Sequence, residues 1–505
     1  MGKATTQTDL EALVGGLSAH LPGRVERVDT HGAIILLTAE HAYKLKKPVH
    51  FSFFDFRTIE QRRKALAHEL ELNLRTAPHI YQCVLPVIAY AGGFELGTAG
   101  CDNSDICDWV LVMQRFDRAQ ELDRLADRNE LDANTLLQLA DQIIGFHRRL
   151  PPLRDFDADA AMAEVVRGNA EDLHASCPSI FGAEDIEPLI QAADRKFEEH
   201  RPLLQHRYRH GFVRHCHGDI HLGNIVMLNG RPTLFDCIEF NDNFARIDLL
   251  YDLAFLLMDL IERGMAPAAQ AMMQRYAERW PQDNGLQLLP FLISLRATIR
   301  AKVTAFGGDQ PTSLAYLELA KQALAPKPAC VVAIGGRSGT GKTTIARLIA
   351  PRVGAMPGAF ILRSDVIRKD LFGRPATSRL PGDAYRPKVS RRVFSIIAGR
   401  AQTIAQSGHA VIADAVFGAA WQRDQIQQAA AQAGVPFFGF WLEADETLLI
   451  ERVEARIGDA SDADAAIVRA QAGLAGQNNS WVTLNANHDA ATNVEYILSH
   501  ILRSQ

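Results

Sequence analysis

Residues 335–344 read GGRSGTGKTT, and no other stretch of the chain restricts its fold so closely. Gly336, Gly341, Lys342 and Thr343 fill the spacing GxxxxGKT, with Gly339 between them and Thr344 behind. The pattern has chemical meaning only if a strand delivers the chain to the loop and a helix carries it away. That path points successive backbone N–H groups and a helix N-terminus at one phosphate. The apolar run VVAIGG supplies the strand. Lys342 is then expected to reach the β and γ phosphates of a nucleotide, and the Thr343 hydroxyl to take a place on Mg²⁺.

The sequence after residue 327 has the period that such a loop requires. The runs VVAIGG, AFILRS, HAVIADAV, PFFGFWL and WVTLNA alternate with helical segments, which predicts a parallel sheet covered on both faces. The joint is ALAPKPAC at 323–330, where an Ala-rich helical segment meets two prolines that cannot continue its hydrogen-bond ladder. A boundary near 327 gives one domain over 1–326 and another over 327–505.

Nucleotide binding does not yet specify a reaction. The third strand ends at Asp414 and runs on as AVFG, unlike the acidic pair of a motor ATPase, which leaves Asp414 as a substrate-side candidate. The second ends in Arg363, Ser364 and Asp365. At the carboxyl edge of such a sheet Asp365 can orient an acceptor hydroxyl or a magnesium water, and Arg368 can hold an anionic or polyol substrate. The competing reading of Asp365 is a helix N-cap. Arg452 and Arg456 are four apart and share a helical face, and Arg469 follows an Asp-rich turn. Arginines on a closing lid would neutralise phosphate charge and exclude water. A solvated helix with internal Arg–Asp pairing is the alternative.

More than a hundred residues earlier stands a second arrangement, HGDIHLGNIV at 217–226 followed by LFDCIEF at 234–240. Asp219 precedes Asn224 by five residues, and Asp236 follows twelve later. Phosphoryl transfer needs a carboxylate at the acceptor hydroxyl and oxygen ligands for Mg²⁺, and these three side chains supply that set. The spacing is that of the protein-kinase sequence HRDxxxxN with Gly218 in place of Arg. A phosphate-binding lysine on a strand is also required. Lys44 and Lys46 in HAYKLKKPV lie on one strand face, with Lys44 preferred and Lys46 the alternative. Glu69, rather than Glu71, is the expected ion-pair partner on the following helix. A solvated strand edge is the competing account of the lysine run. Short apolar runs over 24–49, 87–96 and 109–116 predict a small antiparallel sheet lobe at about 20–115, and a helical lobe follows at about 120–322.

Composition narrows the partners. A net charge near −5 offers no reason for nucleic acid, and the start MGKATTQTDLEALVGG lacks the apolar core of a secretory signal. Nowhere do eighteen apolar residues run together; YDLAFLLMDLI at 251–261 carries Asp252 and Asp259 and reads as a buried helix, not a membrane span. Seven scattered cysteines fit a reducing cytoplasm. Cys101 and Cys107 read as flanking a surface turn. His215, Cys216, His217 and His221 suggest zinc, yet no second pair arrives at ligand spacing, and His217 reads as a buried brace for the loop.

The stretches YKLKKPVHFSFFDF, HGDIHLGNI and LFDCIEFNDNFARIDLLYDLAFLLMDL resemble the aminoglycoside-phosphotransferase-like kinases. Residues 327–505 resemble the small-molecule P-loop kinases, such as the gluconate, shikimate and zeta-toxin-like kinases. From about residue 20 onward, the order of the two parts is similar to that of the bacterial bifunctional aminoglycoside phosphotransferase/ATP-binding proteins. The resemblance implies an α+β bilobal protein-kinase-like fold followed by an α/β P-loop kinase fold with a parallel sheet and a lid. It implies Asp219 as catalytic residue, Asn224 and Asp236 as metal ligands, and Asp248 and Asp252 as supporting residues. No GxGxxG precedes the lysine strand, where only Gly32 marks a turn, and only one Asp of the shikimate-kinase pair is present. Arg296 and Arg300 share a helical face, with Lys302 nearby. If that face lines the cleft it favours an anionic acceptor over a polycationic antibiotic; a paired or exposed face is the alternative. The expectation is a cytoplasmic tandem kinase using ATP and Mg²⁺ on hydroxylated small molecules, with the two centres acting in turn on one compound as a further step. The alternatives are a regulatory ATP-binding protein with one silent domain and a C-terminal nucleotide-sugar kinase.

Overall fold

The computed structural model describes residues 7–503 apart from 31, 52–53, 91–92, 99, 101–104, 177–178, 456–459 and 475–480. It divides into two compact units, residues 1–164 with 201–259, and residues 165–200 with 260–505.

The first unit opens with a helix, Gln7–His20, and a six-stranded antiparallel sheet in the order Glu26–Asp29, Ala33–Leu37, His41–Lys46, Ile106–Gln114, Tyr81–Tyr90, Gly93–Leu96. Strand alternation sorts HAYKLK into two faces. Tyr43 and Leu45 enter the core formed with Leu10, Leu13, Leu17, Ile34, Leu36, Val110 and Val112. Lys44 and Lys46 therefore point to the other face, toward the helix Ile59–Leu74. A capping box starts that helix, with Gln61 N–H donating to Thr58 Oγ1 and Thr58 N–H to Gln61 Oε1. Its buried residues include Arg62, Leu66, Glu69 and Asn73, spaced 4, 3 and 4 as one helical stripe demands. Arg62 is held against Asp108 of the sheet by a fully buried ion pair at 3.0 Å. Losing one partner of such a pair strands the other charge, so the pair fixes the helix at one place on the sheet.

Beyond the sheet the described elements are mainly helices: Ala133–Arg149, Ala158–Ala175, Ala183–Arg209, Leu249–Glu262, Ala266–Arg279, Leu289–Phe306 and Gln310–Leu324. Two small two-stranded antiparallel sheets interrupt them. Val213–His215 pairs with Arg246–Asp248, and Ile225–Leu228 pairs with Arg231–Leu234. The run 251–261 is helical and almost wholly buried, as its apolar content with two embedded aspartates predicts. Among the described residues no helix is long and apolar enough to cross a membrane.

In the second unit the five predicted strands form a parallel sheet in the order Phe360–Arg363, Val411–Asp414, Val331–Gly336, Phe437–Glu443, Val482–Asn485. Phe360–Arg363 is an edge, and an edge strand leaves backbone groups unpaired. Here the helix Ala266–Arg279 satisfies them. Gln274 accepts from Ile361 N–H and donates to Ile361 O, both at 2.8 Å, while Gln270 donates to Ala359 O at 3.0 Å. Arg400 adds a bidentate pair to Asp283 at 2.7 and 2.8 Å. Residues before and after the Pro-bearing segment at 323–330 thus share one compact body. Spacing gave no sign of this, because glutamine on a polar helix face reads as solvent-facing. Cys83, Cys107, Cys216, Cys237 and Cys330 are all free. Cys101, and with it the Cys101–Cys107 turn, lies outside the described residues.

Candidate active sites

In the first unit the predicted trio converges through the hairpin register. Ile225 opposes Leu234, and just beyond the ladder Phe235 N–H donates to Asn224 O at 3.0 Å, so Asp236 follows the residue tied to Asn224. Asn224 Nδ2 donates to Asp219 Oδ2 at 2.8 Å and to Asp219 O at 3.1 Å. Its amide therefore turns nitrogen toward the carboxylate and keeps oxygen for another partner. Asp236 adopts a left-handed φ of 61°. Two residues missed by sequence reasoning hold it there: Tyr81 OH accepts Asp236 N–H at 3.1 Å, and Asn73 Oδ1 accepts Cys237 N–H at 2.9 Å.

Lys44 meets Glu69 Oε1 at 2.6 Å and Asp236 Oδ1 at 3.1 Å, so the helix partner expected for it is in place. Glu71, the other candidate, is 79 % exposed. Lys46 is no surface alternative. It forms ion pairs with Glu69 Oε2 at 2.7 Å and Glu239 Oε1 at 2.5 Å, so a ladder of alternating charges runs from the strand through the helix to the segment bearing Asp236. Burial would raise the Glu69 carboxyl, but the Lys44 and Lys46 ammonium groups outweigh it and hold it down to about 2.

The loop itself hangs on the buried helix. Asp252 accepts His217 N–H at 3.1 Å, Gly218 N–H at 2.8 Å and His147 Nε2 at 3.1 Å, and Asp259 accepts Leu222 N–H at 2.8 Å. Asp248 makes a buried bidentate pair with Arg207 at 2.6 and 2.8 Å. His217 is fully buried, with Nε2 on Phe235 O at 3.0 Å and Nδ1 accepting Asp219 N–H at 3.3 Å. It braces the loop, as its place in the sequence suggests.

In the second unit a cavity of about 800 Å³ lies over the carboxyl edge of the sheet, lined by residues 338–345 and by Asp365, Arg368, Asp414, Arg452 and Gln471 among others. Gly336 and Gly339 have φ of 138° and 92°, and a Cβ would meet Leu442 O at 2.5 Å and Leu449 O at 2.6 Å. Only glycine fits. Lys342 Nζ donates to Gly336 O and Arg337 O, both at 2.9 Å, closing the loop on itself. Thr343 Oγ1 donates to Asp414 Oδ2 at 2.6 Å, so the carboxylate expected on the substrate side stands with the hydroxyl expected on the metal. Thr344 and Gly341 line the same cavity.

Asp365 lies in the first turn of the helix Ser364–Leu371, and burial together with the nearby Asp414 raises its carboxyl above the ordinary range. Arg368 is 7 % exposed, with Nη1 on Ala384 O at 2.7 Å and its guanidinium over the Tyr385 ring at 4.9 Å. Arg452 bonds Ala486 O at 3.0 Å and reaches the cavity, Arg469 is exposed, and Arg456 lies outside the described residues. Gln471 was missed: its Oε1 accepts Ser338 N–H of the loop at 2.8 Å. Tyr385 OH and Leu380 N–H both reach Asp462, fastening the lid segment at 461–474 over the cavity. Arg296 and Arg300 do not line this cavity; Arg296 is buried in its helix and Arg300 lies over the Tyr316 ring, which makes their shared face partly an interhelical packing face.

Residues 56–286 match the model of the phosphotransferase enzyme family, and residues 331–475 match that of the AAA domain. Relatives described as uncharacterised proteins of Mycobacterium bovis and Mycobacterium tuberculosis are each 29 % identical over 468 residues, covering 90 % of this chain and 90 % of the relative. Among solved structures, a choline/ethanolamine kinase family protein from Mesorhizobium loti covers 64 % of this chain and 96 % of its own, at 13 % identity and a TM-score of 0.40. A gluconokinase from Sinorhizobium meliloti covers 35 % and 94 %, at 20 % identity and a TM-score of 0.26. The chain is a two-domain, kinase-like protein related to the phosphotransferase and P-loop families.

Proposed function

We propose that the chain is a tandem ATP-dependent small-molecule kinase, with domains 1–326 and 327–505 each transferring the γ-phosphoryl group of ATP to a hydroxyl. The observation that supports it is duplication of a complete set of groups: each half joins a phosphate-side lysine to an acceptor-side carboxylate and oxygen donors. In the first these are Lys44, Asp219, Asn224 and Asp236; in the second Lys342, Asp365, Thr343 and Asp414.

Asp219 takes the hydrogen bond, and then the proton, of the acceptor hydroxyl. The acceptor oxygen bonds to the γ-phosphorus as the bond to the β–γ bridging oxygen breaks, and ADP leaves. Lys44 steadies the phosphates and is itself fixed by Glu69. The carboxylate of Asp236, 43 % exposed, and the amide oxygen of Asn224 offer the hard oxygen donors that Mg²⁺ prefers. Thr343 and Asp414 offer the same in the second site. When bound, the ion supplies neutralisation of phosphate charge. Asp365 is the corresponding acceptor-side base, and Arg368, Ser390 and Gln422 present polar atoms to a hydroxylated acceptor.

The direct test follows label from the γ-phosphate of ATP into a fractionated small-molecule extract, with the labelled products identified by mass. Label arriving in hydroxyl-bearing metabolites is the expected result. Nucleotide binding without any transfer would instead favour a regulatory ATP-binding protein.

The raised Asp365 carboxyl gives this site a distinctive pH dependence. A base must be ionised to accept a proton, so the second site's transfer rate is expected to climb with pH along a limb displaced above the ordinary carboxylate range. Steady-state rates across that range decide it; a limb at the usual carboxylate position would remove Asp365 from the role.

A further inference from the structure

We infer that His68, His215 and Asp242 form a binding site for a zinc-class transition-metal ion, distinct from the magnesium positions of either kinase centre. The three residues come from the helix Ile59–Leu74, the strand Val213–His215 and the short helix Asp242–Phe244, all within the first unit. Their donor atoms lie within 4.8 Å of one another. Asp242 Oδ1 stands 2.8 Å from His68 Nε2 and 3.6 Å from His215 Nε2. With bonds of about 2.0–2.1 Å, ligand atoms around a tetrahedral ion stand about 3.3 Å apart, and the two separations straddle that spacing.

The surroundings prepare each donor. His215 Nε2 is buried with no hydrogen-bond partner, a costly state for a ring nitrogen unless something else takes its lone pair. Asp242 Oδ2 is occupied by Arg246 Nη2 at 2.7 Å, so Oδ1 is the single ligand, and the ion would replace the proton of its 2.8 Å hydrogen bond with His68 Nε2. His68 Nδ1 faces Glu71 Oε2 at 3.8 Å, an acidic neighbour of the kind that orients metal-bound imidazoles. Arg75 fixes the strand end through His215 O and Cys216 O at 2.8 and 3.1 Å. Arg75 and Arg246 add positive charge and moderate the affinity. Two imidazoles suit zinc, cobalt or nickel and not magnesium. The second cluster, His147, Cys216 and Asp252, is different, because both carboxylate oxygens of Asp252 already accept backbone N–H groups, of His217 and Gly218.

Occupancy would tie the helix that carries Glu69 to the strand that leads into His217-Gly218-Asp219. The test is titration of the metal-stripped full chain with Zn²⁺ by calorimetry and with Co²⁺ by visible absorption. One equivalent is expected, with a d–d spectrum lacking a thiolate charge-transfer band and a rise in melting temperature. His215→Ala, His68→Gln and Asp242→Asn should each weaken binding by at least about 100-fold, more than the loss of an outer partner costs. Far-ultraviolet dichroism and retained ATP binding establish that each variant is folded. Absence of saturable binding to the wild type overturns the inference whatever the variants do. So does unchanged affinity in the folded variants, as zinc held by the stacked surface pair His206 and His210 would show, or a thiolate band, which would place the ion on Cys216.

Discussion

Asp219→Asn is expected to lower the turnover of the first centre by about 10²–10⁴-fold while leaving its KM for ATP within a few-fold of the wild type. The substitution is close to isosteric, and its amide oxygen can still accept from Asn224 Nδ2, so the loop need not move. What disappears is the carboxylate that receives the acceptor proton. ATP binding is spared because the phosphate-side ladder of Lys44, Glu69, Lys46 and Glu239 does not pass through Asp219. Steady-state kinetics on whichever acceptor takes the label would read both constants. Lys44→Ala should show the opposite split, with the larger loss in KM for ATP. A decrease of less than about threefold in turnover for Asp219→Asn would mean that the carboxylate is not the base.

Much of this site is legible in the sequence because it is built from short-range spacing. Asp219 and Asn224 lie on one loop, Asp236 follows just beyond the end of the paired strand, and strand alternation puts Lys44 and Lys46 on one face. Glu69 is separable from Glu71 by the stripe that also buries Arg62, Leu66 and Asn73. Residues that serve the site from a distance give no such signal. Tyr81, Asn73 and Glu239 act through single contacts made by folding, and each is an ordinary strand, helix or loop residue when read alone. The same holds for Gln471, whose amide reaches the loop only once the lid has folded over it. His215 shows the limit most clearly. Its sequence neighbours suggested a local metal motif, but His217 and His221 turn to other partners, and the companion of His215 is His68, far away in the chain. Gln274 fails for a related reason: its partner is a backbone edge, which no side-chain pattern encodes.

Lys342→Ala is expected to lower kcat/KM of the second centre by about 10²–10⁴-fold and to leave transfer by the first unchanged. In the structure the ammonium group donates to Gly336 O and Arg337 O, a geometry that holds it at the mouth of the loop. With nucleotide bound, its donors turn to the β and γ phosphates, where the transferring group gathers charge. Hydrogen bonds to charged partners are worth about 1.5–3 kcal/mol each. Losing two costs about 3–6 kcal/mol, and each 1.4 kcal/mol is a factor of ten, which sets the predicted range. Backbone N–H groups and the helix end remain, so nucleotide affinity should fall less than the rate does. The two substitutions together also report on order. If the centres act in turn on one compound, the variant blocking the later step accumulates a singly phosphorylated product that the other variant never forms. If they serve separate acceptors, each variant removes its own product and neither accumulates. Loss of all transfer in Lys342→Ala, with none attributable to Asp219, would leave the first half as a binding module under those conditions, because its intact carboxylate and lysine would then be holding nucleotide without passing the phosphoryl group on.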